Sequence, residues 1–301
     1  MSNSSSSDDF YKSYPITCDL SYNPFLEIFK YIIQAGYLFI GACLIIYMLY
    51  IMLFKYRPIY WSKSYFRIFI FDLITTLIRI LSDMFFGRVI LNIPPLCPIL
   101  SPFFSDYSFI LKSHKVIENY VAASKSVCQV ILTLNRMTCT MLPVTHNYYW
   151  DKYIVLAMLL NFALPFGAIW SLIHSRVYGK STFGGFYTSY KRAISWASLS
   201  RLQSICVTIS IVLTLIFSTL TFWSLKNLSE RAKNVEKMLC FVTFWLTGVF
   251  VFISSIWYFW ALCSNCSWDN PWIFQWQLVS YDLMMLGTPI VMIIINRQLR
   301  N

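Results

Sequence analysis

Charge is what this sequence has least of. Of its 301 residues only 12% are Asp, Glu, Lys or Arg, about half the share, about 25%, of an average globular domain. Apolar residues make up 57%, more than the interior of a soluble fold of this size can hide, so the composition calls for a bilayer as solvent. Acidic residues are the scarcer sign, 13 against 24 basic, for a formal charge of +11. Histidine is restricted to His114, His146 and His174, with no H-E-x-x-H or related spacing, which argues against a catalytic zinc site. The many serines include no G-x-S-x-G elbow. The expectation is a protein that is not an enzyme and holds no cofactor or metal. No Gly/Ser linker divides the chain, and no internal repeat suggests the paired halves of a transporter. Basic helices and aromatic-interleaved basic patches are missing too, so no nucleic acid is expected as a partner.

What is present is a series of long apolar runs. About 20 helical residues cross the roughly 30 Å of hydrocarbon, and seven runs qualify: Tyr31–Phe54, Tyr65–Ile90, Val116–Leu142, Tyr153–Ser175, Trp196–Leu225, Met238–Leu262 and Ile273–Asn296. The third carries Glu118, Lys125 and Gln129; its alternative reading is a surface helix, which leaves six spans. The fold class expected is an all-α membrane protein, a seven-transmembrane helix bundle over residues 31–296, with an extracellular tail 1–30 and a cytoplasmic tail 297–301. The opening stretch is polar and acidic and lacks the basic and apolar regions of a cleaved signal, so the first span is expected to act as its own signal anchor.

Orientation follows from the short loops. Lys55, Arg57, Lys63, Arg67, Arg136, Lys152, Lys226, Arg231, Lys233, Lys237, Arg297 and Arg300 put twelve positive residues on one face. The positive-inside bias makes that face cytoplasmic, next to anionic membrane lipid, with the N-terminus outside. Cys18, Cys97, Cys263 and Cys266 then lie on the outer face, where disulfides persist. Four cysteines allow three pairings; Cys18–Cys97 with Cys263–Cys266 is preferred. Sequons at Asn3 and Asn265 also face outward, whereas the one at Asn227 is cytoplasmic and silent.

Ionisable residues inside a bilayer are costly unless paired or hydrated, and so mark function. Asp72, Arg79 and Asp83 are spaced by 7 and 4 residues, and Glu118, Lys125, Gln129 and Arg136 by 7, 4 and 7. At 100° per residue each set forms one stripe about 40° wide, facing the bundle interior. The alternative for any one of them is a purely structural ion pair.

Several segments carry a resemblance. "TCDLSYNP", "YWSKSYFRIFIFD", "NIPPLCPI", "LNRM", "SRVY…TFGGF…Y…WASLS…QSI", "CSNCSW" and "GTPIVMIIINRQLR" occur in order from about Thr17 to Arg300. Together they resemble the nematode serpentine receptor class gamma chemoreceptors, which are G-protein-coupled-receptor-like. The resemblance implies a plasma-membrane receptor of chemosensory cells that binds a small-molecule ligand and signals through a heterotrimeric G protein. Arg136 then stands where the wider receptor superfamily places its Asp-Arg-Tyr arginine, but Asn135 replaces the acid and Met137 the aromatic residue. The chain also lacks a cysteine in the Arg176–Ile194 segment and an Asn-Pro-x-x-Tyr motif in the last span. The competing readings are a ligand-gated ion channel of inverted topology and a small-molecule transporter.

Two sites are expected. The signalling switch comprises Arg136 and Asn135, with Glu236 or Asp72 holding the arginine at rest. The ligand site comprises Arg79, Lys125, Asp83 and Asp282 in one layer. Trp196, Arg201 and Gln203 line its mouth, with Glu118 near Arg201. In this reading Lys125 meets the ligand directly while Arg79 holds Asp83.

Overall fold

A computed structural model describes residues 16–19, 21–104, 108–182, 184–194, 196–225, 244–245, 247–256, 258 and 271–295, with side chains from 275 to 294 in the last stretch. The first helix, α1 (Pro24–Tyr50), starts where the sequence provides a cap. Asn23 Oδ1 accepts the backbone N–H of Phe25 at 3.0 Å, and Pro24 takes the first position with its φ already helical. A π-helical turn, Ile51–Lys55, extends it. The short α2 (Arg57–Trp61) leads to α3 (Ser64–Ser82), a second π turn at Asp83–Gly87, and α4 (Arg88–Asn92). Pro94 and Pro95 cannot continue a helix, and a 3-10 turn, Pro94–Leu96, intervenes before α5 (Cys97–Phe104). Next come α6 (Phe109–Met141), α7 (His146–His174), strands β1 (Arg176–Thr182) and β2 (Gly185–Lys191), α8 (Leu199–Ser224), α9 (Thr247–Ile256) and α10 (Pro271–Ile295).

Burial is inverted relative to a soluble protein. Ile40, Val155 and Phe222 are about two-thirds exposed, whereas Thr76, Arg79 and Ser126 are almost fully buried. Apolar side chains point outward from the helices and polar ones inward, as a hydrocarbon solvent requires. Among the described residues, four stretches are long and apolar enough to cross a membrane: Pro24–Lys55, His146–His174, Leu199–Ser224 and Gln275–Ile294.

Seven spans are expected from the sequence, and the difference has a physical cause. Helices α3 and α6 are long enough, but α3 carries Arg67, Asp72 and Arg79, and α6 carries Lys112, Lys115, Glu118, Lys125 and Arg136. Their polarity is directed inward, with Asp72, Arg79, Lys125 and Arg136 all buried. α9 covers only part of the expected sixth span, the rest of which lies outside the described residues. The surface-helix reading of the third run fails, because the nine consecutive residues Val121–Gln129 are all buried.

The chain divides into two compact units: Met1–Ile40, Ile78–Tyr120 and Ile169–Leu199 form the first, and Gly41–Leu77, Val121–Ala168 and Ser200–Asn301 the second. In the first unit β1 and β2 pair antiparallel in the register Val177↔Tyr190 to Thr182↔Gly185. Gly184, at φ +77°, supplies the left-handed residue that the turn needs. Gly185 is packed so tightly that a Cβ would stand 2.3 Å from the carbonyl oxygen of Ile90 and 2.4 Å from that of Leu91. β2 therefore rests on the end of α4. Phe186 and Val177 are buried, Phe186 stacks 5.7 Å from Phe104, and Ile16 lies over Gly179. A disulfide joins Cys18 to Cys97 and ties the segment before α1 to α5. In the second unit Gly41 of α1 admits Leu286 of α10, whose side chain occupies the space of a Cβ.

Candidate functional site

The first unit contains a buried, charge-balanced cluster. One helical turn separates Arg79 from Asp83, and its Nε donates to Asp83 Oδ2 at 2.8 Å. The same guanidinium donates through Nη1 to the carbonyl oxygen of Glu118, and Nη2 lies 3.4 Å from Glu118 Oε1. On α6, Lys115 Nζ donates to Glu118 Oε2 at 2.8 Å. Two cations thus meet two carboxylates, which lets the group stay ionised out of water. Their accessibility differs. The Arg79 side chain is 1% exposed, against 12% for Asp83, 14% for Glu118 and 18% for Lys115. Arg79 is the innermost of the four, and the other three are each slightly exposed.

Further polar groups pair within the same unit. His114 Nδ1 lies 2.9 Å from Ser82 Oγ, and its ring fills the space beside Gly87, where a Cβ would sit at 3.1 Å. Gln34 Oε1 accepts from Arg88 Nη1 at 2.8 Å and from Asn92 Nδ2 at 3.4 Å. The π turn begins at Asp83; its extra residue per turn changes which side chains after Asp83 face inward.

The second unit holds a separate pair. Lys125 Nζ donates to both oxygens of Asp72, at 3.0 and 2.9 Å, with both side chains buried. A pocket beside it is lined by Cys128, Gln129, Leu132, Phe250 and Thr288. Farther along α6, Asn135 Nδ2 donates to Ser64 Oγ at 2.7 Å, and His146 Nε2 lies 3.2 Å from the Asn135 carbonyl oxygen. Trp150 Nε1 donates to Thr138 Oγ1 at 2.8 Å, and Ser224 Oγ donates to the Thr140 carbonyl at 3.0 Å. Arg136 is buried in this same stretch.

Several expectations are corrected by this geometry. Arg79 pairs with Asp83 and Glu118, and Lys125 pairs with Asp72. Lys125 is therefore the counter-ion of Asp72. Asp72 is the partner of Lys125, eleven residues before Arg136 on α6, or about 16 Å along the helix, so it is not the resting partner of Arg136. Glu118, placed near Arg201 by the sequence, has its carboxylate on Lys115 and Arg79. Trp196 is exposed and packs on Trp170 at 5.7 Å; Arg201 is exposed, and Gln203 and Asp282 are buried. Glu236, Asn3, Asn265, Cys263 and Cys266 lie outside the described residues. Among the described residues no His, Cys, Asp and Glu group has the makings of a metal site.

Sequence reasoning missed His114, Lys115, Ser82, Gln34, Arg88 and Asn92. Lys115 was detectable from its i,i+3 spacing to Glu118. The others become neighbours only through tertiary packing.

Comparison with known proteins gives one consistent answer. The family model described as Srg family chemoreceptor matches residues 31–301. Serpentine receptor class gamma-5 of Caenorhabditis elegans is 36% identical over 300 residues, covering 100% of this chain and 92% of that protein. Serpentine receptor class gamma-17 of the same organism is 35% identical over 284 residues, 94% of this chain and 88% of its own. Serpentine receptor class gamma-16 is 35% identical over 286 residues, 95% of this chain and 88% of its own. A multi-pass membrane protein with inward-facing charges and this likeness along its whole length belongs to the serpentine receptor class gamma family of chemoreceptors.

Proposed function

We propose that the chain is a seven-helix plasma-membrane receptor of chemosensory cells, which binds a small-molecule cue and signals through a heterotrimeric G protein. The carrying observation is the family match over residues 31–301. The two helices too charged to count as apolar spans support the seven-helix reading, since their charges are buried and paired. The ligand site in this reading is the cluster of the first unit. Asp83, Glu118 and Lys115 face the ligand, supported by Arg79 and His114, and suit a ligand with polar or charged groups that can exchange for one of the ion-pair contacts. Trp196 remains a candidate for the surrounding wall. Arg136 is the signalling switch, steadied by Asn135 and its neighbours, with Glu236 as its charge partner.

The test is surface expression with cyclic-AMP and calcium reporters, screened against candidate metabolites. A dose-dependent response that needs a G protein and weakens in Glu118→Gln supports the reading. A ligand-gated current that persists without G protein, with Asn3 unglycosylated and cytosolic, would replace it with the channel.

A further inference from the structure

The second unit contains a small polar pocket that the receptor reading leaves unused. The Asp72–Lys125 pair, Gln129 and Thr288 form its polar wall, and Leu132 and Phe250 its apolar one. Gln129 is 6% exposed, and its Nε2 meets no hydrogen-bond acceptor among the described residues. A buried N–H without an acceptor carries its whole desolvation penalty, so native proteins pair such groups with protein or with ordered water.

The chemistry of the walls selects the occupant. It must accept a hydrogen bond from Gln129 Nε2. An anion would stand beside the Asp72 carboxylate in a pair that is already neutral. A cation would face the Lys125 ammonium and an amide N–H. An organic group does not fit, since the space takes a single water-sized sphere and little more. Water satisfies every wall: it accepts from Gln129 and Lys125 and donates to Asp72. Turning the Gln129 amide over exchanges a donor for an acceptor, and water meets either.

We propose that the pocket between Asp72, Lys125, Gln129 and Thr288 binds one internal water molecule, and that this water helps keep the charge pair buried. It bridges α3 and α6, which carry the pair, to α10 through Thr288. The site is independent of any ligand.

Radiolytic hydroxyl-radical footprinting on the purified full-length protein tests this, because a bound water generates radicals where it sits. Cys128, Leu132 and Phe250 are all buried, so bulk solvent contributes little labelling there. We expect prompt labelling of these residues in the wild type. In Gln129→Leu, close in volume but without the amide, labelling falls several-fold and the melting temperature drops. Absence of wild-type labelling overturns the proposal, and that measurement needs no variant to fold. Labelling unchanged in Gln129→Leu, or a higher melting temperature for that variant, overturns it as well, since removing a dry, unsatisfied amide is stabilising.

Discussion

Both oxygens of Asp72 lie on one ammonium, so neither residue of that pair can be changed alone without stranding the other. Removing one partner of a buried pair costs about 3–5 kcal/mol, because an uncompensated charge remains. We therefore expect Lys125→Met to lose most of its surface expression, and Lys125→Met combined with Asp72→Leu to regain it. Flow cytometry of an epitope-tagged chain measures both. Normal surface expression of Lys125→Met alone would show that Asp72 does not need this partner. The helical stripe in the sequence revealed which faces of α3 and α6 are polar, and it placed Arg79 with Asp83. Asp72 and Lys125 are 53 residues apart, and a one-helix pattern holds no information about which charge meets which across helices.

At the scale of elements, the hairpin and the end of α6 carry different kinds of order. β2 is seated by Gly185 on the carbonyls of Ile90 and Leu91, and the Cys18–Cys97 disulfide closes a separation of 79 residues. Disulfides closing loops of this length stabilise by about 2–4 kcal/mol, and overpacking a tight contact costs about 1–3 kcal/mol. Cys18→Ser, Cys97→Ser and Gly185→Ala should each reduce surface delivery, while Cys43→Ser should leave it unchanged. Cell-surface biotinylation distinguishes them, and equal levels for all four variants would refute the structural role of this region. The hairpin had a readable signal, a Gly-Gly pair between two runs of strand-forming residues, in a segment that the all-α expectation treats as a loop between two spans.

At the other end of α6, hydrogen bonds hold Asn135, the residue beside Arg136. Ser64 meets the Asn135 side chain, and His146 the Asn135 carbonyl. Each neutral bond contributes about 0.5–1.5 kcal/mol, so in the proposed receptor reading Ser64→Ala raises basal signalling by a factor of a few. In the proposed reading Arg136→Ala abolishes the ligand response at equal surface expression, and Glu236→Ala raises basal output. A reporter dose–response series checks all three. A normal response from Arg136→Ala removes the arginine from the switch.

Taken whole, the molecule shows how far an apolar alphabet can be read. Runs such as Tyr153–Ser175 and Trp196–Leu225 correspond closely to α7 and α8, because hydrocarbon outside a helix leaves a signal in almost every turn. The cluster around Arg79 was only half legible: its carboxylates stand out against an apolar background, whereas His114 looks like ordinary helix-end polarity. The same inversion of burial governs α6. Residues Val121–Gln129 are buried on every side, so no face of that segment is left for lipid or water to forgive a change. In a saturation mutational scan, tolerance along α1, α7 and α8 should therefore rise and fall with the 3.6-residue repeat of an amphipathic helix. Across Val121–Gln129 that oscillation should vanish into a flat band of intolerance, in which even alanine and serine positions resist enlargement.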